Sequence, residues 1–276
     1  MTAELMHEKF MVSAYEGWND ASQAASEVIH YLISHYESRL VREINSDGYY
    51  DYQSARPMLC HVTGHARIVW PHTSFYEIQV SPELCVLAQI APEPNYHWKD
   101  YCKETLQIAR EFGVSHFVTL GSMYASCPHT RPLPVDISSA TCTCELDREY
   151  NGPIGITTVL DHMACKAGMA TTSIWVSIPK YMNSDTCAQG TLQLVHGLST
   201  TLGVQLDTKD LQNKADAWKT KATTLAACDD SLSSYIAHLE HEYDLAQRAR
   251  TVASLGAPQA EQLVREAEAF LKRMES

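Results

Sequence analysis

The sequence of 276 residues lacks a long unbroken apolar run, a run of Lys or Arg, and a glycine cluster of the phosphate-binding kind. With no apolar stretch approaching the roughly 20 residues of a membrane span, no membrane partner is expected. Lys and Arg number 21 against 33 Asp and Glu, a formal net charge of −12, so nucleic acid is not expected as a partner either. Neither Gly-x-x-x-x-Gly-Lys nor Gly-x-Gly-x-x-Gly occurs, which removes the familiar nucleotide cradles. A Gly-x-Ser-x-Gly elbow is also missing. Ser122 and Cys127 therefore lack the strained turn that exposes a nucleophile, and Ser122 reads as a helix cap. The N-terminus shows no basic patch followed by an apolar segment, so no signal peptide is expected.

Cysteine is present but unpatterned. The nine residues are odd in number, scattered, and several fall inside apolar strand or helix patterns. This suits a reducing, cytoplasmic setting better than a disulfide framework. Cys142 and Cys144 are too close-set for a zinc knuckle and have no second pair, so no metal and no cofactor is expected.

Strand-like and helix-like segments alternate along the first two hundred residues. Phe10 to Tyr15 is short and β-prone, and Gly17 with Asn19 or Asp20 leads into a helix carrying Ala21, Ala25, Val28 and Leu32 on one face. Strands are expected at 39–44, 67–70, 75–80, 84–90, 116–120, 154–157 and 171–178. Helices are expected at 100–112, 158–167 and 186–202. The β-rich stretch at 60–80 offers an antiparallel edge, 47–57 an ordered tyrosine-rich loop, and 126–150 an irregular segment or flap. Alternation of this kind gives an α/β fold, a mostly parallel sheet between two helical layers. From residue 206 the pattern becomes purely helical. Leu211, Ala215, Trp218, Ala222 and Leu225 share a seam, as do Leu232, Ile236, Leu239, Tyr243 and Ala246, with a third helix from Pro258. Residues 8–205 are read as the core domain and 206–276 as a C-terminal helical region.

Four expected strands end in conspicuous turns. They supply a set of cleft candidates: Glu16, Trp18, Asn19 and Asp20; Asn95, His97 and Trp98; His129 and Arg131; Lys180 and Tyr181. Parallel strands would bring these turns to one edge, where α/β proteins bind ligands. Turn chemistry explains Gly, Pro, Asn and Asp there, but not the Trp, His and Arg residues.

Read in order, several segments resemble the proteasome assembly chaperone 2 family, specifically its bacterial, actinobacterial-type branch. They are Glu16-Gly17-Trp18-Asn19-Asp20-Ala21, Tyr49-Tyr50-Asp51-Tyr52-Gln53 with Arg56-Pro57, Glu93-Pro94-Asn95 through Trp98, Leu120-Gly121, Pro128-His129-Thr130-Arg131-Pro132, Gly152-Pro153-Ile154-Gly155-Ile156 and Pro179-Lys180-Tyr181. The resemblance implies a three-layer α/β/α sandwich of the phosphorylase/hydrolase-like type with a helical C-terminal region. It also implies a homo-oligomer, a trimer ahead of a dimer, and supplies no reaction. Archaeal relatives engage the proteasome through a hydrophobic-Tyr-any tail, from which Lys272-Arg273-Met274-Glu275-Ser276 departs. The expected function is a cytoplasmic, homo-oligomeric protein-binding scaffold akin to an assembly chaperone. The alternative is a small-molecule hydrolase or transferase acting on an anionic substrate at the strand-end cleft. There Trp18 and Trp98 would be walls, Asp20 or His129 an acid–base group, and Arg131 an anion clamp.

Overall fold

The computed structural model describes residues 8–140, 151–183 and 186–254. Among the described residues nine strands fall in two sheets. The main sheet has seven, in the order β2 (Glu37–Ile44), β5 (Thr73–Ser81), β6 (Leu84–Pro92), β1 (Phe10–Glu16), β7 (His116–Ala125), β9 (Ala170–Pro179) and β8 (Val135–Ala140). Neighbours β6, β1, β7 and β9 run parallel. Antiparallel pairs flank them, β5 with β6 and β2 with β5 on one side and β8 with β9 on the other. The second sheet is a hairpin of β3 (Met58–Val62) and β4 (His65–Val69).

Among the described residues five α-helices cover the main sheet. Helices α1 (Ser26–His35), α4 (Ala188–Leu202) and α5 (Lys209–Ala227) share one core with Val12, Ala14, Val118, Leu120 and Ile174. Helices α2 (Trp98–Glu111) and α3 (Ile156–Lys166) share the other with Met11, Tyr15, Leu87 and Phe117. Alternate residues of β1 thus enter opposite cores, as the period of two requires, and the central strand is buried on both faces. Helix α6 (Asp230–Ser254) folds back on α5. Asp229 caps α6 at the turn between them, its Oδ1 accepting from Ser231 N and Leu232 N. The third helix expected from Pro258 lies outside the described residues.

A polar chain runs through the core under α2. Ser13 donates to Gln89, whose Nε2 donates to the hydroxyls of Tyr15 and Tyr101 at 2.8 and 3.0 Å. Thr73 bonds Tyr101 and lies 3.3 Å from Tyr50, and Tyr50 donates to Pro92 O. Tyr50 therefore anchors the tyrosine-rich loop, and burial raises the pKa values of Tyr15 and Tyr101 far beyond the ordinary phenol.

Four expectations change. Strand β7 does not end at Gly121 but pairs with β9 as far as Ala125. Gly121 is a packing glycine: a Cβ there would meet the Trp175 ring at 2.6 Å. Ser122 consequently lies in the strand and donates to Ala21 O, instead of capping a helix. Residues 154–157 form no strand, because α3 already begins at Ile156. Of the segment expected to be irregular, 126–134 is so, Val135–Ala140 is instead the edge strand β8, and 141–150 lies outside the described residues together with Cys142 and Cys144. Of the described cysteines Cys60, Cys85, Cys102, Cys127, Cys187 and Cys228 are free, and Cys165 is disulfide-bonded.

Asp161 in α3 has a buried Oδ1 without a hydrogen-bond partner among the described residues. Desolvation pushes its pKa up from 3.8 to about 6, with a hydrogen bond from Thr171 opposing. The native state thus holds this proton more tightly than the unfolded chain. The stability it confers is present below about pH 4 and lost as the pH rises through about 6. Asp161→Asn should raise stability by on the order of 2 kcal/mol at pH 8 and leave it unchanged near pH 3.5, as urea unfolding at the two pH values will show.

Candidate functional site

Because β6, β1, β7 and β9 are parallel neighbours, their C-terminal ends do share one edge. The chain leaves β1 toward α1 on one face, but leaves β6 toward α2 on the other. Such a divergence opens a crevice beside the strand where the direction changes. Here a cleft of about 630 Å³ lies at the ends of β1 and β6, lined by Glu16, His30, Arg56, Trp70, His72 and Glu93 among others. One wall comes from the base of the β3–β4 hairpin through Met58 and Val69.

The floor is set by the turn after β1. Gly17 has φ 107, a conformation that favours glycine. Asn19, wholly buried, donates through Nδ2 to Glu93 Oε1 at 2.9 Å and accepts from Thr157 Oγ1 at 3.2 Å. Its carbonyl accepts from Ser122 N, which ties the turn to β7. Glu93 Oε1 also accepts from Ile156 N at 2.9 Å, a carboxylate placed on the first turn of α3 where the helix dipole favours it. Gly155 must be glycine for a reason of space, since a Cβ would come within 2.0 Å of Asn19 Oδ1. Asp20 accepts from Ala25 N, Ser26 N and Ser26 Oγ, so it caps α1 across a short 3₁₀ turn. Burial raises its pKa while these three bonds oppose the rise.

The sequence-expected residues separate into distinct groups. Glu16 lines the cleft, and Asn95 lines it too while accepting from Asp51 N. Asn19 and Asp20 lie beneath it as framework. Trp18 is exposed, 63% of its surface being open to solvent. His97 caps α2 from a left-handed conformation with φ 54, and Trp98 packs on the α2 side with its Nε1 donating to Pro94 O. Neither His97 nor Trp98 lines the cleft. Lys180 is exposed in the turn after β9.

His129, Arg131 and Tyr181 form a latch for the C-terminal helices. Thr223 Oγ1 donates to Lys219 O, so it accepts from His129 Nε2 at 3.1 Å. Tyr181 accepts from His129 N and so donates its proton to Nδ1 at 2.9 Å. Both ring nitrogens are engaged, and burial lowers the His129 pKa, Glu240 opposing and Lys219 adding to the effect. Arg131 forms a two-bond fork with Asp244 at 2.9 and 3.0 Å and reaches Glu240, which also accepts from Thr130. An acid–base His129 and an anion-clamping Arg131 are thus replaced by groups that hold α5 and α6.

The residues that do face the cleft were mostly missed in the sequence. Glu16 has no side-chain partner among the described residues, and its pKa rises through desolvation, with His30 opposing and Asp20 adding. The His30 pKa is raised, first by its hydrogen bond to Glu27, against desolvation. His72 sits 3.3 Å from Glu43 and donates from Nδ1 to Trp70 O. No group of three or more metal-binding side chains occurs among the described residues.

The PAC2 family model matches residues 14–226. A proteasome-assembly chaperone homologue from Mycobacterium tuberculosis is 30% identical, with a TM-score of 0.74 over 82% of this chain and 99% of its own. A PAC2 family protein from Streptomyces avermitilis is also 30% identical, with a TM-score of 0.73 over 83% and 99%. PbaB, an archaeal proteasome activator from Pyrococcus furiosus, is 12% identical at TM-score 0.61 over 79% and 93%, and shares the fold. No curated protein matches the sequence. The chain belongs to the PAC2 family.

Asn19 and Gly155 should behave as one unit. Gly155→Ala should cost about 2 kcal/mol by overpacking, and Asn19→Ala about 2 kcal/mol by stranding its partners. The double variant should lose clearly less than the sum, because the overlap requires Asn19. Strict additivity in urea unfolding would show that Gly155 serves another purpose. Separately, Arg131→Ala should loosen α6, seen as faster proteolysis within 230–254 and unchanged protection of β1.

Proposed function

We propose that this PAC2-family chain is a cytoplasmic, homo-oligomeric scaffold for proteins, an assembly-chaperone type of activity, with a trimer ahead of a dimer. In this reading residues 8–205 form the body and residues from 206 onward a helical region latched to it. The proteins it resembles include an assembly-chaperone homologue and, by fold, a proteasome activator. No helix among the described residues is long and apolar enough to cross a membrane.

The observation that carries the proposal is the β3–β4 hairpin. Two strands alone are marginal in water, and this pair is not joined to the main sheet. Leu59 and Ile68 face each other across it, 63% and 61% exposed. By strand alternation they occupy the face opposite Met58 and Val69, which line the cleft. The occupant we assign to this outer face is a second copy. Residues 52–76 contain no Asp or Glu but hold Arg56 and Arg67, whereas the chain as a whole carries −12. An apolar, acid-free arm is complementary to the acidic body of another protomer.

The enzyme alternative drew its acid–base group from Asp20 or His129 and its anion clamp from Arg131; Asp20 accepts three hydrogen bonds at the start of α1, and His129 and Arg131 bond to α5 and α6. A catalytic reading would need other groups.

Leu59→Asp combined with Ile68→Asp should weaken self-association about a hundredfold while leaving the body folded, since each apolar side chain buried is worth about 1.5–3 kcal/mol. Native mass spectrometry and thermal unfolding read the two quantities. An oligomer of unchanged mass and midpoint in the variant would remove the hairpin from the interface.

A further inference from the structure

The cleft itself has a chemistry that scaffolding does not use. Its lining combines one unpaired acid, one unpaired base and an apolar wall. Glu16, at the end of β1, forms no side-chain hydrogen bond or ion pair among the described residues. Glu16 shares the cleft lining with His30 of α1 and with Ser54 and Ala55 of the loop that leads into β3. Arg56, on the loop that leads into β3, likewise has no side-chain partner among the described residues. Glu93 is different in kind. Its Oε1 is engaged by Asn19 and Ile156, so it holds the floor in place. Met58, Val69, Trp70 and Ile90 supply apolar surface between these groups.

An unpaired carboxylate and an unpaired guanidinium that line one cleft without pairing to each other call for a ligand carrying both complementary charges. An ammonium group satisfies Glu16. A carboxylate fits the planar fork of Arg56 better than any point anion. We propose that the strand-end cleft binds a small amino-carboxylate, a free amino acid or short peptide with an apolar side chain, through Glu16 at its ammonium and Arg56 at its carboxylate. The volume of about 630 Å³ lies inside the range of about 300–1,000 Å³ typical of small-molecule sites. His30 lines the same cleft, with its Nδ1 turned to Glu27 at 3.6 Å. The inference does not depend on the oligomer proposed above, because both charged groups come from the same chain.

The test is calorimetric titration of the intact protein with Leu-Leu and with free leucine. N-acetyl-Leu-Leu and Leu-Leu amide serve as forms blocked at one end. At least one free form should bind, and each block should weaken binding by about tenfold or more, the worth of one charge-assisted contact. Glu16→Gln should abolish the penalty for acetylation, and Arg56→Met should abolish the penalty for amidation. Both substitutions fall on exposed side chains, and unchanged thermal midpoints will show that the fold is intact. Leucine binding as tightly as Leu-Leu would assign the site to amino acids, and a clear preference for Leu-Leu would assign it to peptides. Binding of neither at millimolar concentration overturns the proposal. So does equal binding of free and blocked forms, or penalties that persist in the variants.

Discussion

The buried amide of Asn19 is the constraint around which this molecule is arranged. A side-chain amide withdrawn from water must find partners for both its oxygen and its nitrogen, or cost several times what a surface amide would. Here Thr157 and Glu93 provide them, while the backbone carbonyl of the same residue is met by β7. Three consequences follow from one residue. The turn after β1 has a fixed exit angle, α3 begins where Glu93 can receive its first amide, and Gly155 has no room for a side chain. A polar knot, rather than apolar packing, closes the centre of the strand-end edge.

How much of this was legible in the sequence depends on how local the signal is. Strand β1 and the Asp20 cap were readable because their determinants lie within a few residues of one another. The alternation of strands and helices was readable for the same reason, through periodicity. Strand β7 was cut short because Gly121-Ser122 looks like a turn, while its true reason, the ring of Trp175, is 54 positions away. Strand β8 hid because an edge strand buries little and its pattern is polar. The candidate site was harder still. Gathering the turns at one edge follows from parallel pairing, but which side chains meet does not. His129 and Thr223 are 94 residues apart, and Arg131 and Asp244 are 113 apart. No short-range pattern announces that a proline-flanked arginine will be claimed by a helix so far along the chain.

One edge of the sheet therefore holds two structures of different character. On the β7 and β9 side the polar groups are mutually satisfied and join the body to α5 and α6. On the β1 and β6 side charged groups are left open in a cleft whose floor is fixed by Asn19 and Glu93. The two sides are joined through the turn after β1, where the Asn19 carbonyl accepts from Ser122 N and Ser122 Oγ donates to Ala21 O.

The hairpin turn at Thr63 and Gly64 adopts φ values of 50 and 83, the left-handed pair that lets two residues reverse a twisted ribbon. That conformation is uncomfortable for a β-branched residue such as Thr63, yet it pins Val62 opposite His65 and so determines which residues face each other down the arm. Side chains alternate strictly along a strand, so sliding one strand by a single position would exchange its two faces. The cleft wall would then be turned outward and the outer pair inward. The left-handed turn is in effect a parity setting: one small backbone choice decides whether the same side chains serve a pocket or a neighbour.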